Sequence, residues 1–271
     1  MGASAREWER FGREDAYFGV LSQEEYRREN LDDATRARFF ESGETHVGWV
    51  LGRIRDRRGA EFSPRRVLDY GCGVGRVVLG FAQEAERAVG VDVSRSMLAE
   101  ARRNAQARGL TNLDLVEPPS LDSMAAEFDL VHCGMVLQHI ARREGLKILD
   151  RLLGLVAPGG VAVLQVPFGV SHRTASAFSR AMRLPLAHNI VNLVGRRPWS
   201  YPYMEMNVYS SDRLLGSVLD QEMQVIDLIL ERDEPARWRY DSCWLFASRP
   251  ASSGGSSRRW SSATERANQP L

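Results

Sequence analysis

A short strand, a glycine-rich turn and a helix follow one another within residues 65–80, and this unit constrains the fold most. The segment reads RRVLDYGCGVGRVVLG. An apolar run ends in Asp69-Tyr70, and Gly71, Gly73 and Gly75 follow at alternate positions before an apolar helical pattern resumes. Glycine lets the chain turn tightly and lets a ligand touch the main chain. The segment therefore predicts a strand-to-helix turn that binds a ligand through its backbone.

Short apolar runs alternate with helical patterns from residue 65 to residue 167. Such alternation is typical of a parallel sheet with helices on both faces. Two later runs, EMQVIDLILERD and SCWLFASR, predict a pair of final strands. We predict an α/β fold with a Rossmann-like, doubly wound, mostly parallel seven-stranded sheet. An antiparallel C-terminal hairpin closes it, and a helical insertion precedes the last two strands.

Three segments lie outside this alternation. Residues 1–60 are polar and helical, and we interpret them as a cap on the next unit. Their helical pattern has apolar residues at three-to-four spacing: Ala34, Ala37, Phe40, Val47, Val50, Leu51 and Ile54. Residues 61–249 form the predicted ligand-binding domain, with the insertion over residues 168–210 as a lid. Residues 250–271 are rich in Ser, Gly and Arg and predict a disordered tail.

Composition narrows the functional classes. The formal net charge of +1 gives no support to a nucleic-acid or membrane partner. No apolar run approaches the roughly 20 residues that a membrane-spanning helix needs, and the N-terminus lacks the apolar core of a signal peptide. Three cysteines are too few and too scattered for a disulfide framework or a zinc site. We expect a cytoplasmic chain with no metal and no nucleic-acid partner.

The spacing of the glycine loop distinguishes between ligands. A nicotinamide dinucleotide fingerprint has G-x-G-x-x-G, whereas this loop reads G-x-G-x-G and follows Asp69. A carboxylate at this position would repel a pyrophosphate and favour a ligand with positive charge. Asp92, about twenty residues further on, ends the second strand, where a carboxylate accepts hydrogen bonds from a ribose. S-adenosylmethionine, with an adenosine and a sulfonium, fits both carboxylates.

At this point the sequence resembles the class I S-adenosylmethionine-dependent methyltransferases. VLDYGCGVGR resembles the first motif of that family, VGVDVSRSML the second, EFDLVHCGMVLQHI the fourth, and LVAPGGVAVLQ the turn before the fifth strand. The motifs occur in the family's order over roughly residues 65–167, and the last two strands resemble its closing hairpin. The resemblance implies a methyltransferase with S-adenosyl-L-methionine as cofactor.

For the methionine and ribose end of that cofactor, the resemblance implies five binding residues. Asp69 holds the methionine amino group, directly or through water. Gly71, Cys72 and Gly73 pack their backbone against the methionine and the ribose. Asp92 holds the ribose hydroxyls.

For the adenine and the amino-acid tail, the resemblance implies four further residues. Val93 and Met97 sandwich the adenine, and Cys133 and Gly134 supply backbone near the tail.

The chain departs from the family after the third strand. The family often has an acidic residue followed by a small one, and this chain has VEPPSLD. Glu117 and Pro118 are the candidates for those two positions. Ser120 and Asp122 are alternatives for the hydrogen bond to the exocyclic amine of the adenine.

His139 is the candidate catalytic residue, because it follows the fourth strand at the mouth of the sheet. It would act as a general base toward an acceptor hydroxyl, and the alternative is that it orients the loop. Gln138 beside it would reach the cofactor or the acceptor. His132 lies within the strand and is interpreted as packing or a second layer of the site. Cys72 has no base motif beside it and is interpreted as a small residue at a crowded turn.

The insertion suggests what the acceptor is. No Asp or Glu occurs between Asp150 and Glu205, and apolar residues interleave with arginines. Its central arginines are Arg173, Arg180, Arg183, Arg196 and Arg197, and Trp199, Tyr201 and Tyr203 follow them. One interpretation is a lid for an apolar acceptor with an acidic or phosphorylated group, and the other is a helical cover with solvated arginines.

These features together predict methyl transfer to a small-molecule or lipid-like acceptor, most simply at oxygen or nitrogen. A non-catalytic cofactor-binding protein is the alternative from another class. A nicotinamide-dependent oxidoreductase is disfavoured by the loop spacing.

Overall fold

The computed structural model describes residues 3–170, 193, 204, 206–232 and 240–251. The helices are α1 (Ala3–Glu14), α2 (Ala16–Val20), α3 (Asp33–Arg58), α4 (Val78–Glu84), α5 (Arg95–Ala107), α6 (Arg142–Gly154) and α7 (Ser211–Asp220). The strands are β1 (Arg66–Tyr70), β2 (Arg87–Val91), β3 (Leu113–Val116), β4 (Phe128–Cys133), β5 (Val156–Val170), β6 (Gln224–Arg232) and β7 (Tyr240–Ser248). Short 3₁₀ helices occupy Glu24–Tyr26, Pro118–Ser123 and Leu137–His139.

The strands form a seven-stranded sheet in the order β3-β2-β1-β4-β5-β7-β6. Strand β1 pairs in parallel with β2 on one side and with β4 on the other. Strand β7 lies antiparallel between β5 and β6. The predicted fold class is therefore confirmed. Because the chain leaves β1 in one direction for β2 and later returns to its other side for β4, a crevice forms at the carboxyl ends of these strands.

Two element boundaries differ from the sequence pattern. Strand β5 begins at Val156 and includes the Pro-Gly-Gly segment that the sequence suggested was a turn. Gly159 takes a φ of 82°, and the register with β4 shifts between Phe128 and Leu130, so the segment bends without leaving the sheet. Helix α4 begins only at Val78, because the turn after Gly75 continues through the intervening residues.

Helix α3 is one continuous element with a well-defined start. The Oδ1 atom of Asp32 accepts a hydrogen bond from the Thr35 amide at 2.7 Å, which satisfies one of the free amides of the first turn. Of the apolar positions expected to face inward, Ala34 and Ala37 are exposed. Thr35 and Phe39, one turn apart, occupy the packed face there instead. The five larger predicted residues are buried: Phe40, Val47, Val50, Leu51 and Ile54.

Apolar packing covers both faces of the sheet. Helices α6 and α7 pack on one face, around Leu152, Leu153 and Val218. On the other face, α3 and α4 pack around Val50, Ile54 and other residues against β1, β4, β5 and β7. Aromatic residues of α1 and α2 form a third cluster with α3 and α5. Helices from the N-terminal 58 residues therefore pack on one face of the sheet and against Val74 of the glycine loop.

In the described part of the chain, no helix is both long enough and apolar enough to cross a bilayer. The proposed limits of the cap, the ligand-binding domain and the tail stay predictions.

Candidate functional site

The glycine loop after β1 folds back onto the end of β2. The amides of Gly71 and Cys72 both donate to the carbonyl oxygen of Val91, at 2.7 and 3.0 Å. Gly73 has a φ of 55°, in the left-handed region that side chains rarely adopt, and a Cβ there would lie 2.6 Å from the Val20 side chain. Glycine is therefore required at Gly73 by its backbone angle and by its neighbour on α2.

Asp92 holds the glycine loop to the start of α5. Its Oδ2 accepts from the Gly73 amide at 2.9 Å and its Oδ1 from the Ser94 amide at 2.8 Å. Burial raises the pKa of Asp92 to about 6, although both amides favour the carboxylate; the charge of Asp69 adds to the rise. Ser94 caps α5 through its own hydroxyl, which accepts from the Met97 amide at 3.1 Å. A half-buried carboxylate therefore lies at the end of β2, and its contact with a ribose stays a prediction.

Asp69 is buried one strand away and is already engaged by a histidine. Its Oδ1 lies 2.7 Å from Nδ1 of His132, which occupies the adjacent position on β4. The other ring nitrogen of His132, Nε2, lies 3.0 Å from Nε2 of His46 on α3. Three titratable side chains from three elements therefore form one hydrogen-bonded line. The expected contact of Asp69 with a methionine amino group stays a prediction, and the second carboxylate oxygen is the one it would use.

Arg76 is a candidate site residue that the sequence reasoning missed. It directly follows the glycine loop, yet it is only 8% exposed. Its Nε is buried without a hydrogen-bond partner, and Nη1 reaches only the Ser42 hydroxyl, at 3.4 Å. Burial lowers its pKa, while the nearby charge of Asp69 opposes the change. A buried guanidinium with spare donors is suited to an anion. The signal in the sequence was a basic residue inside the otherwise apolar stretch GRVVLG.

Helix α1 lies at the mouth of the crevice and is fastened to α5 by Glu9. The carboxylate of Glu9 accepts from the Ser94 hydroxyl at 2.9 Å, from the Ser96 hydroxyl at 2.8 Å and from the Ser96 amide at 3.1 Å. Burial alone would raise the pKa of Glu9, but the hydrogen bonds from Ser96 and Ser94 outweigh it and lower the pKa to about 2. The ring of Trp8, on the same helix, packs edge to face on the ring of His139, with 4.9 Å between the ring centroids. No pattern in the sequence indicated these contacts.

The residues expected to contact the adenine differ in burial and in the contacts that they already make. Val93 is half-buried beside Asp92, but Met97 is buried under α2, where a Cβ on Gly19 would lie 3.0 Å from the Met97 methyl. Glu117 forms an ion pair with Arg95 at 3.0 Å.

Pro118 opens the 3₁₀ helix that also contains Ser120 and Asp122. The adenine contacts of all these residues stay predictions.

The carboxyl end of β4 brings together the remaining candidates. Cys133 is fully buried, and a Cβ on Gly134 would lie 2.8 Å from Trp244 and 3.1 Å from the His132 ring. The Oε1 atom of Gln138 is buried without a hydrogen-bond partner, which marks a second unsatisfied polar atom at this edge. His139 ends the following 3₁₀ helix, and its catalytic role stays a prediction.

The cysteines of the site are not suited to nucleophilic chemistry. Burial raises the pKa of the Cys72 thiol well above its ordinary value, and the charges of Asp92 and Asp69 raise it further. Burial also raises the pKa of Cys133. Both therefore stay protonated at neutral pH. Among the described residues, no three His, Cys, Asp or Glu side chains are grouped to hold a metal ion.

The expected lid cannot be placed. Its arginines and the aromatic residues after them lie outside the described residues, as do residues 252–271 of the tail.

Comparisons with known proteins agree with this geometry. Residues 67–160 match a family model described as a methyltransferase domain. Among curated proteins, the ubiquinone biosynthesis O-methyltransferase of Paracidovorax citrulli is 30% identical over 140 residues, covering 50% of this chain and 53% of the relative. The trans-aconitate 2-methyltransferase of Delftia acidovorans is 32% identical over 123 residues, covering 45% of each. The chain thus spans about half the length of these relatives.

Solved structures share the fold. Magnesium protoporphyrin IX methyltransferase from Synechocystis, crystallised with SAH, superposes with a TM-score of 0.53 over 81% of this chain and 88% of that one, at 19% identity. The resemblance first stated from the motifs is therefore confirmed for residues 67–160, where the glycine loop, Asp92 and the end of β4 lie.

Proposed function

We propose that this chain, whose residues 67–160 belong to the class I methyltransferase family, transfers a methyl group from S-adenosylmethionine to a small molecule. The observation that carries the proposal is the half-buried carboxylate of Asp92 at the end of β2, which accepts a hydrogen bond from the Gly73 amide of the neighbouring loop. In this arrangement a carboxylate that can accept hydrogen bonds from a ribose lies next to glycine backbone that a ligand can approach closely.

The unsatisfied groups of the crevice fit the charged end of this cofactor. The methionine part carries a carboxylate and an ammonium group. Arg76 supplies a buried cation with a partnerless Nε, and Asp69 supplies a buried anion on the adjacent strand. We assign the carboxylate to Arg76, the ammonium to Asp69 and the ribose hydroxyls to Asp92. When bound, the cofactor supplies a methyl group already activated by the sulfonium.

The residues of this chain hold the reactants in position and exclude water from the site. Glu9 links α1 to α5 through hydrogen bonds, and Trp8 of the same helix packs on His139. Helix α1 therefore covers the mouth of the crevice. Val20 lies against the glycine loop from the same side. Holding two reactants in line in a water-poor site lowers the barrier of a substitution reaction. No covalent catalyst is required, which agrees with the protonated thiols.

Two observations support a proposal for the chemical class of the methyl acceptor. The curated relatives include one named for trans-aconitate and others named for ubiquinone biosynthesis, all of them small-molecule pathways. The insertion of residues 168–210 adds arginines and apolar residues. We therefore propose an apolar small molecule with an acidic group, methylated on oxygen or nitrogen. The alternative of a cofactor-binding protein without catalysis predicts ligand binding with no methyl transfer.

Calorimetry with a set of truncated ligands tests the cofactor assignment. We expect the chain to bind S-adenosylhomocysteine with a Kd in the micromolar range, about −7 to −8 kcal/mol, and not to bind NAD. Replacing Arg76 by Gln should weaken S-adenosylhomocysteine by about tenfold or more. Methylthioadenosine, which has no amino-acid part, should bind the variant and the wild type equally.

The matched control for this experiment is Arg65→Gln, whose side chain is 74% exposed. It should leave both affinities unchanged. If Arg76→Gln lost the same affinity for S-adenosylhomocysteine and for methylthioadenosine, the assignment of Arg76 to the carboxylate would be contradicted.

Methyl-labelled cofactor tests the activity. Catechol, trans-aconitate and metabolite fractions from the host are incubated with the chain, and labelled products are separated. Labelled product that requires Asp92 supports methyl transfer. Tight cofactor binding with no product from any fraction supports the non-catalytic alternative.

A further inference from the structure

Asp69, His132 and His46 form a line that crosses from the sheet to the N-terminal helices. The carboxylate belongs to β1, the first imidazole to β4 and the second to α3. The two hydrogen bonds measure 2.7 and 3.0 Å, and Asp69 and His132 are both almost fully buried. None of the roles assigned above uses either histidine.

The hydrogen-bond pattern assigns the tautomers. An ionised carboxylate only accepts, so His132 carries its proton on Nδ1 and donates it to Asp69. Its Nε2 is then an acceptor, and Nε2 of His46 is the donor in the bond between the two rings. His46 consequently has a bare lone pair on Nδ1. In the described part of the chain, Nδ1 has no hydrogen-bond partner, and the residue is partly exposed.

The surroundings of His46 keep it neutral. Its ring packs against Trp49 and Trp244, with centroids 5.4 and 5.0 Å away. Burial, together with the charges of His132 and Arg76, lowers its pKa to about 2. His46 is therefore unfavourable for a resident positive charge. The ring of His132 lies directly against the carboxylate of Asp69.

The line also touches the proposed reaction centre. Asp69 immediately precedes the glycine loop, and the His132 ring lies against Gly134, at the end of β4. The line therefore starts beside the glycine loop at Asp69 and passes Gly134 before it reaches His46 on α3.

We propose that His46 is the catalytic base of the transfer reaction and that His132 and Asp69 are its positioning residues, an assignment that rests on the proposed function. An acceptor O–H or N–H loses its proton to Nδ1 of His46 as its oxygen or nitrogen bonds to the methyl carbon, whose bond to the sulfonium sulfur breaks to leave neutral S-adenosylhomocysteine. His46 in turn releases the proton on Nε2 to Nε2 of His132. The charge that appears in the site resides on His132, paired with the Asp69 carboxylate, and His46 stays neutral. After the product leaves, the proton returns by the same route to solvent.

Nuclear magnetic resonance of the full chain labelled with [¹⁵N]histidine tests the line without an acceptor. With S-adenosylhomocysteine as the probe, we expect His46 to be protonated on Nε2 and bare on Nδ1, and His132 to be protonated on Nδ1. A proton on Nδ1 of His46, or the lack of one on Nδ1 of His132, would overturn the proposal.

His46→Gln separates a proton-transfer role from a structural one. The glutamine amide retains a donor for His132 but has no basic nitrogen. We expect unchanged thermal stability and S-adenosylhomocysteine affinity, with a loss of at least about a hundredfold in kcat toward a hydroxyl acceptor such as catechol. The residual rate should rise with pH, as ionisation of the acceptor replaces the base.

A carboxylate acceptor provides the matched control. Trans-aconitate is already ionised at neutral pH and has no proton to lose, so His46→Gln should lose far less activity with trans-aconitate than with catechol. Equal losses with catechol and trans-aconitate would show that His46 only supports the fold and would overturn the proposal. Failure of the wild type to bind S-adenosylhomocysteine would instead refute the proposed function, and the tautomers of the unliganded chain would still decide the geometry.

Discussion

Replacing Glu9 by Gln tests whether α1 is fastened to the methyltransferase domain by charge. The substitution keeps the shape of the side chain and an oxygen that can accept from Ser94 and Ser96, but it removes the negative charge at the start of α5. A carboxylate at a helix N-terminus is favoured by the free amides and the dipole there. The magnitude follows from the pKa of Glu9.

The pKa of Glu9 falls from 4.5 to about 2 in the folded chain. At about 1.36 kcal/mol for each pH unit, this corresponds to roughly 3 kcal/mol of preferential stabilisation of the charged form. Screening by solvent reduces this value, so we expect Glu9→Gln to lower the free energy of unfolding by about 1–2 kcal/mol at neutral pH. Because the folded pKa is depressed, the contribution is complete above the unfolded pKa and is lost as the pH falls from 4.5 toward 2.

Urea unfolding followed by circular dichroism measures the difference, with hydrogen exchange of the α1 amides as a local measure. Glu14→Gln is the matched control on the same helix, because Glu14 is 52% exposed and forms only an i,i+4 pair with Arg10. Glu14→Gln should lower the free energy of unfolding by less than about 0.5 kcal/mol. The reasoning is refuted if Glu9→Gln is no less stable than the control at neutral pH, or if its deficit persists unchanged at acid pH.

Three further predictions follow from the same contacts. Cofactor affinity should fall as the pH drops through about 6, the pKa of Asp92, because the protonated acid is a poorer acceptor for ribose hydroxyls; calorimetry of the wild type should show this fall and Asp92→Asn should not. Gly73→Ala should lower the free energy of unfolding by about 1–2 kcal/mol because of its left-handed backbone angle. The new methyl group should destabilise the fold further by its contact with Val20, and Val20→Ala should relieve that second part, as measured by a double-mutant cycle of unfolding. Burial opposes ionisation of Asp227, but hydrogen bonds from Arg57 and Arg53 lower its pKa, so Asp227→Asn should destabilise the contact between α3 and β6 above pH 3.8 and have a diminishing effect below it, measured by urea unfolding.

Much of the fold was predictable from the sequence, because its signals are local. Apolar runs of strand length, the Ser94 cap and the glycine turn each depend on residues close in the chain, and they recur in the order that a doubly wound sheet requires. The position of Asp92 beside the glycine loop was predictable in the same way, since the end of a second strand has a fixed relation to the first turn. Ala34 and Ala37 were assigned to the wrong face of α3 because small residues carry a weak periodic signal.

The contacts that give the site its chemistry are decided only by the tertiary structure. His46 and His132 are 86 positions apart, and Glu9 and Ser94 are 85 apart. No local pattern links such residues, because their proximity depends on how α1 and α3 pack on the sheet. Arg76 shows the same division: its presence beside the loop is evident in the sequence, but its burial without a partner for Nε is not. The sequence by itself determined the succession of strands and helices along the chain and indicated the kind of ligand. Packing determined which charges are desolvated and therefore which groups are available to bind a ligand or transfer a proton.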